Sequence, residues 1–251
     1  MINSPVLGRA RPASDSELQG IAWLPLLARA DRQWATATLR VSSARPGERI
    51  VRFGRAPTFW FGVVDGLLKM SNDTASGGTI TYTGLPPGAW FGEGTLLKRE
   101  PYRYNIEPLR QSTVAGLPIE DFHALLDRSI PFNRYVMGLL NERLGQFIAA
   151  REIDRQTEPE RRVAASLAQL FHPVLYPGVG SLLRITQQEL GYLAGLSRQR
   201  VNEALAVLQQ AALIRVEYGG VRVLDLPGLR AFRGDTGRGD ATRLPGRRTP
   251  Q

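Results

Sequence analysis

Residues 186–210 narrow the possible folds more than any other part of the chain. Thr186-Gln187-Gln188-Glu189 puts a hydroxyl at a helix N-cap and a glutamate three residues on, the reciprocal pair of a capping box. The helix it opens runs through Tyr192 to Ala194, where Gly195 supplies a tight turn. Ser197 then caps a second helix, SRQRVNEALAVLQQAAL. In it Val201, Ala204, Leu205 and Leu208 share an inward face, while Arg198, Gln199, Asn202 and, toward the edge, Glu203 face out. Two short helices across a glycine turn, with forked polar side chains early in the second, suit the reading of a DNA major groove. Arginine grips guanine through O6 and N7, asparagine or glutamine pairs with adenine, and glutamate accepts from the cytosine amino group. The predicted DNA-contacting set is Thr186, Gln187, Ser197, Arg198, Gln199, Arg200, Asn202 and Glu203. LIRVEYGGVRVLD then alternates on both sides of Gly219-Gly220, a hairpin where a winged helix carries its wing. The competing reading is a helical hairpin that packs on itself and binds no nucleic acid.

Charge agrees with an anionic partner. The formal net charge is +9, and all but Lys69 and Lys98 of the 32 basic residues are arginines. Arginine suits phosphate forks, although codon bias produces the same excess. The stretch 233–251 holds five arginines, two aspartates and almost no large apolar groups. It reads as a flexible basic tail that adds non-specific DNA affinity.

With 251 residues there is room for one large domain or two modest ones. Residues 36–118 are cut into short apolar or alternating runs by glycine and proline, the texture of a β-sandwich or barrel, with a hairpin turn at Ser76-Gly77-Gly78. A short helical stretch, SELQGIAWLPLLARA, precedes them and is interrupted at Pro25. From 119 the texture is helical. IEDFHALLDRS forms one short helix, and Pro131 opens a long one, PFNRYVMGLLNERLGQFIAAREID. Met137, Leu140, Leu144 and Phe147 make a narrow seam along it, suited to a partner helix or to the core of its own domain. PERRVAASLAQLFHP follows as an amphipathic helix with Val163, Leu167, Leu170 and Phe171 on one face.

Several classes of chemistry are excluded. With 0 cysteines there is no disulfide, thiolate metal site or iron–sulfur cluster. The 2 histidines, His123 and His172, have no metal-ligand spacing, and no serine stands in a catalytic pattern with them. There is no Walker or dinucleotide fingerprint, no metal site is expected, and an enzyme is not expected. No apolar run reaches the ~18 residues of a membrane span, and the start of the chain lacks a signal-peptide core. A cytoplasmic location with no membrane partner is the expectation.

Taken together, ITQQELGYLAGLSRQRVNEAL and PPGAWFGEGTLLKREPYRYNI resemble the recognition segment and the phosphate-binding cassette of the Crp/Fnr family of bacterial transcription regulators. PGERIVRFG and the Gly66 turn add to the resemblance, which spans about residues 18–232. It implies an α+β chain: an N-terminal antiparallel β-roll, jelly-roll-like and of the cyclic-nucleotide-binding-domain type, a long central dimerisation helix and a C-terminal winged helix-turn-helix. The boundaries that follow are 1–130 for the sensor domain with its flanking short helices, 131–157 for the dimerisation helix, 158–232 for the DNA-binding domain and 233–251 for the tail. In this reading Met137, Leu140, Leu144 and Phe147 form the dimer interface.

The resemblance also implies an effector pocket built from Phe91, Gly92, Glu93, Gly94, Thr95, Arg103 and Tyr104. Glu93 would take a ribose hydroxyl, and Arg103, ten residues on, the phosphate of a cyclic nucleotide such as cyclic AMP. Three positions depart from members that bind cyclic AMP. Tyr104 stands where they carry a small hydroxyl residue, Phe147 and Ile148 where the long helix offers hydroxyls, and Gly94-Thr95 where a bulky-then-small pair is usual. The competing reading pairs Glu93 with Arg103. The implied function is a homodimeric regulator of a near-palindromic double-stranded site, acting with RNA polymerase, whose effector is a cyclic nucleotide, another small molecule or none. The alternative is a cyclic-nucleotide-responsive adaptor whose C-terminal domain binds protein.

Overall fold

The computed structural model describes residues 9–155 and 157–232. The chain begins with a two-residue strand, β1 (Arg11–Pro12), and a short helix, α1 (Asp15–Gln19), held by a Ser14–Glu17 capping box. A 3₁₀ turn at Leu24–Leu26 is opened by Pro25, and α2 (Arg29–Thr38) follows. The expected start of β structure at 36 is therefore a few residues too early, since the first long strand, β2, spans Arg40–Ala44. Asp31, Ala35 and Leu39 are buried at intervals of four. That helical period outcompetes the alternation of the residues that follow.

Six further strands complete the N-terminal unit: β3 (Phe59–Asp65), β4 (Leu68–Asp73), β5 (Thr79–Leu85), β6 (Trp90–Phe91), β7 (Asn105–Pro108) and β8 (Ser112–Pro118). They form two antiparallel sheets, ordered β1-β2-β8-β3-β6 and β5-β4-β7. The hairpin between β4 and β5 turns at the expected glycines, with Asp73 paired to Thr79. A short helix, α3 (Glu93–Lys98), leaves β6 at Gly92, whose φ is 91°. That left-handed backbone is cheap only for glycine.

Tryptophans dominate the core. Trp60 and Trp90 lie tilted against each other with ring centroids 4.4 Å apart, and Trp23 meets Trp90 edge-on at 5.3 Å. Gly62 makes this possible, because a Cβ there would lie 2.4 Å from the Trp90 ring. Phe122 of α4 (Ile119–Arg128) and Phe132 of α5 (Ile130–Asp154) close the end of the cluster. Only Ser129 separates these helices, and its hydroxyl accepts from Phe132 N at 3.3 Å. The long helix thus runs Ile130–Asp154.

The C-terminal unit holds α6 (Pro159–Leu170), β9 (Leu182–Leu183), α7 (Gln187–Ala194), α8 (Arg198–Gln210), β10 (Ile214–Glu217), β11 (Gly220–Val223) and α9 (Leu226–Ala231). Its three strands form an antiparallel sheet in the order β10-β11-β9. Val163, Leu167 and Leu170 of α6 pack with Leu190, Val201, Leu205 and Leu208. Residues 233–251, read above as a basic tail, lie outside the described residues.

The two units exchange side chains. Leu67 of the β-roll, fully buried, belongs to the helical core. Leu175 and Tyr176, on the loop after α6, belong to the tryptophan core. Beside them Gly88 and Gly178 meet backbone to backbone: a Cβ on Gly88 would come within 2.4 Å of Gly178 N. The C-terminal unit is therefore docked on the roll over a packed contact.

Candidate functional site

The first candidate surface is built by α7 and α8. Thr186 Oγ1 accepts from Glu189 N at 3.1 Å, and Glu189 Oε2 accepts from Thr186 N at 2.7 Å, so the capping box is closed both ways. Gly195 ends α7 at φ 64°, and Ser197 Oγ caps α8 by accepting from Arg200 N at 3.3 Å. Gly191, which the sequence reading passed over, is equally needed: a Cβ there would sit 2.7 Å from Leu196 O. Val201, Ala204, Leu205 and Leu208 point into the core. Thr186, Ser197, Arg198, Gln199, Arg200, Asn202 and Glu203 are exposed, and Gln187 is half-buried between the helices.

These side chains order one another. Gln187 Nε2 donates to Asn202 Oδ1 at 2.8 Å, Arg198 Nε to Gln187 Oε1 at 3.5 Å, and Gln199 Nε2 to Glu203 Oε1 at 3.0 Å. Among the described residues neither Arg198 nor Arg200 has a carboxylate partner, so both guanidinium groups remain available to an anion. Val216 N donates to Gln209 Oε1 at 2.8 Å and fixes the wing against α8. At the wing's tip Tyr218 is fully exposed. Its signal in the sequence was its place ahead of Gly219-Gly220, where neither strand can bury it.

The second candidate is a cleft of about 910 Å³ between α3, the β4–β5 hairpin and α5. Glu93, 3% exposed, forms its floor. Its Oε1 lies 3.6 Å from Arg143 Nε, while Oε2 meets no hydrogen-bond partner among the described residues. Arg143 Nη2 also donates to Trp90 O at 2.9 Å. Burial lowers the affinity of that guanidinium for its proton, but Tyr176 and Glu93 outweigh it and raise its pKa. Tyr104 lies half-buried in the wall of the cleft. Desolvation, with Glu93 adding to it, pushes the Tyr104 and Tyr135 phenols up to about 12, so both stay protonated at neutral pH.

Two expectations about this pocket change. The pairing of Glu93 with Arg103 does not occur. Arg103 is at the mouth, its side chain 79% exposed, with Nη2 3.2 Å from Glu100 Oε2. Glu100 also holds Lys98 at 2.6 Å, and this exposed acid captures the nearby arginine. The cation opposite Glu93 is instead Arg143 of the long helix. Its sequence signal was its place between Leu140 and Phe147 on one side of that helix, obscured when only the apolar members were read. The predicted seam also divides. Leu140 and Phe147 line the cleft, whereas Met137 and Leu144 are 59% and 60% exposed. Ile130 and Ile148 extend this outer stripe. Of the remaining cassette residues, Phe91 is buried against Phe61, and Gly92, Gly94 and Thr95 line the cleft. His123 Nε2 lies 3.0 Å from Leu96 O and helps hold α3 on α4.

Glu93 Oε2 is buried and lacks a hydrogen-bond partner among the described residues, so a hydroxyl or amine donor reaching it would satisfy it. Arg103, at the mouth, is 3.2 Å from Glu100, and Arg143, inside, faces Glu93. Among the described residues no cluster of metal-ligating side chains occurs, and no helix is long and apolar enough to cross a membrane.

A small-molecule cleft in a β-roll, docked to a winged helix-turn-helix, defines a DNA-binding regulator with a sensor domain. Comparison with known proteins agrees. The cyclic nucleotide-binding domain family matches residues 41–129, and the Crp-like helix-turn-helix domain family matches residues 161–232. The cyclic AMP receptor protein of Thermus thermophilus is 29% identical over 161 residues, which is 64% of this chain and 73% of that protein. The transcriptional regulator SdrP of the same organism is 28% identical over 183 residues, 70% of this chain and 85% of that protein. The structure of FixK2 from Bradyrhizobium japonicum superposes with a TM-score of 0.61 at 15% identity, covering 78% of this chain and 98% of that one, a likeness of fold. The chain belongs to the Crp/Fnr family of transcription regulators.

Proposed function

We propose that the chain acts as a homodimer that binds a near-palindromic double-stranded DNA site and regulates transcription there. The observation that carries this reading is the exposed α8 face, where Arg198 and Arg200 lack acidic partners among the described residues and stand beside Gln199, Asn202 and Glu203. Arg198 reads a guanine in each half-site, and Gln199 or Asn202 a second base. In this reading Ser197 and Thr186, at helix starts, contact phosphates. Pairing runs along α5 through Met137 and Leu144, with Leu140 and Phe147 at the edge of the cleft. It sets two recognition helices about 34 Å apart, one turn of the duplex. Regulation then proceeds through RNA polymerase, as the family resemblance implies, and in the cytoplasm.

The cleft above Glu93 takes a small effector bearing a hydroxyl or amine donor. Cyclic AMP is the first compound to test. Selection of binding sites from a random duplex pool, with and without cyclic AMP, tests both parts. A palindrome enriched in both arms supports a dimeric DNA reader with a pocket tuned to another compound. Enrichment only with the nucleotide supports cyclic AMP as effector. Enrichment in neither arm overturns the DNA reading for the protein free or bound to this nucleotide.

A further inference from the structure

We propose that Tyr176 is a positioning residue through which the DNA-binding unit senses the state of Glu93 in the effector cleft of the same protomer. The inference rests on the reading of that cleft as an effector site.

Tyr176 stands on the loop after α6, a segment of the C-terminal unit, yet it is 1% exposed and packs in the tryptophan core. Its hydroxyl lies 3.2 Å from Arg143 Nη1 and accepts from Gln146 Nε2 at 2.9 Å. The same guanidinium faces Glu93, so one arginine has the cleft floor on one side and the docked unit on the other. Gln146 Nε2 also reaches Thr83 Oγ1 of β5 at 3.4 Å. Glu93, Arg143, Gln146, Thr83 and Tyr176 are all buried. In such surroundings a change in charge or hydrogen bonding at one member is felt strongly by the next. The free Oε2 of Glu93 is where a ligand donor enters. A donor there draws on the carboxylate, weakens its hold on Arg143, and leaves the guanidinium to Trp90 O and the Tyr176 hydroxyl. The backbone around Tyr176 has little freedom to absorb the change, because Gly178 is pressed against Pro87 and Gly88. A shift at the phenol therefore passes to the position of the whole unit.

Hydrogen exchange of residues 174–180 in the full-length protein tests this with Glu93→Gln, Tyr176→Phe and the double variant. Glu93→Gln should slow exchange there about tenfold, within the usual range of coupling between sites. In the Tyr176→Phe background the same change should have almost no further effect. An equal fold-change in both backgrounds, or none in the wild type, overturns the proposal, and a merely structural tyrosine gives the equal result. If Glu93→Gln alters the tryptophan emission of the roll, Glu93→Asp replaces it with the same two outcomes. Affinity for a duplex recovered by site selection should show the same non-additivity. If the protein binds no duplex, the exchange cycle still decides the coupling, so the failures are separable.

Discussion

Arg110, at the turn before β8, donates to Glu189 across 3.4 Å, and Glu189 is the acid that closes the capping box of α7. One buried carboxylate therefore serves both the start of the helix-turn-helix and its docking on the roll. Arg110 also reaches Gly66 O and Arg184 O, so it stands between the two units.

Thr186→Ala should cost about 1 kcal/mol, the usual loss for an N-cap. Glu189→Ala should cost about 2 kcal/mol or more, because it also removes a charged hydrogen-bond partner from Arg110. Urea unfolding followed by circular dichroism gives both values. Equal losses would show that Arg110 gains nothing from Glu189.

At Gly62 any side chain meets the Trp90 ring. Gly62→Ala should destabilise the roll by about 1–3 kcal/mol through overpacking. All four tryptophans lie in this unit, so fluorescence during denaturation reads the change directly.

Leu144→Asp puts a charge in the exposed stripe of α5 and should convert dimer to monomer, as read by sedimentation. An unchanged dimer would remove this face from the interface. A charge in a shared apolar seam has no partner and cannot be buried cheaply.

Arg198→Ala should weaken binding by about 1–3 kcal/mol and relax preference at one base of each half-site. Arg200→Ala should instead weaken binding to all sequences alike and lower its salt dependence. Binding assays on single-base variants of the selected site separate the two. Uniform weakening by Arg198→Ala would make it a phosphate contact.

Acid should loosen the loop after α6. His172 Nδ1 accepts from Val174 N and Leu175 N at 3.3 and 3.2 Å, which requires that nitrogen to be unprotonated. Burial lowers the histidine pKa, with Glu142 opposing and Arg230 and Arg143 reinforcing the shift. The unfolded chain then binds the proton more readily, so the contribution is full above about pH 6.5 and is lost as pH falls below it. Exchange of residues 174–180, taken relative to the intrinsic rate at each pH, should rise between pH 7 and 5.5 in the wild type. The rise should be smaller in His172→Asn, and an equal rise would locate the titration elsewhere.

What the sequence revealed was what short range determines. The box Thr186–Glu189, the turn at Gly195 and the hairpin at Gly219 are each set by neighbours within a few residues. Strand texture and the Ser76–Gly78 turn were legible for the same reason. The cleft was legible only in part. Glu93 was assigned through the resemblance of its cassette, but its partner Arg143 lies 50 residues away on another element. Arg103 does line the cleft, but spacing along the chain is silent about its contact with Glu100. Tyr176 carried no local signal at all. It stands in the loop 171–181 among other apolar and turn residues, and only the docked arrangement shows that it enters the other unit's core.

The close approach of Gly88 and Gly178 has a consequence for how this protein can change over generations. Gly88 has φ 84°, and its partner leaves no space for a methyl group. Every substitution at either codon adds at least a Cβ. The angle between sensor and reader is thus shielded from gradual tuning at its own point of contact. Lineages that alter it must first change the surrounding loop lengths, or the buried side chains on either side, before the glycines are free to vary.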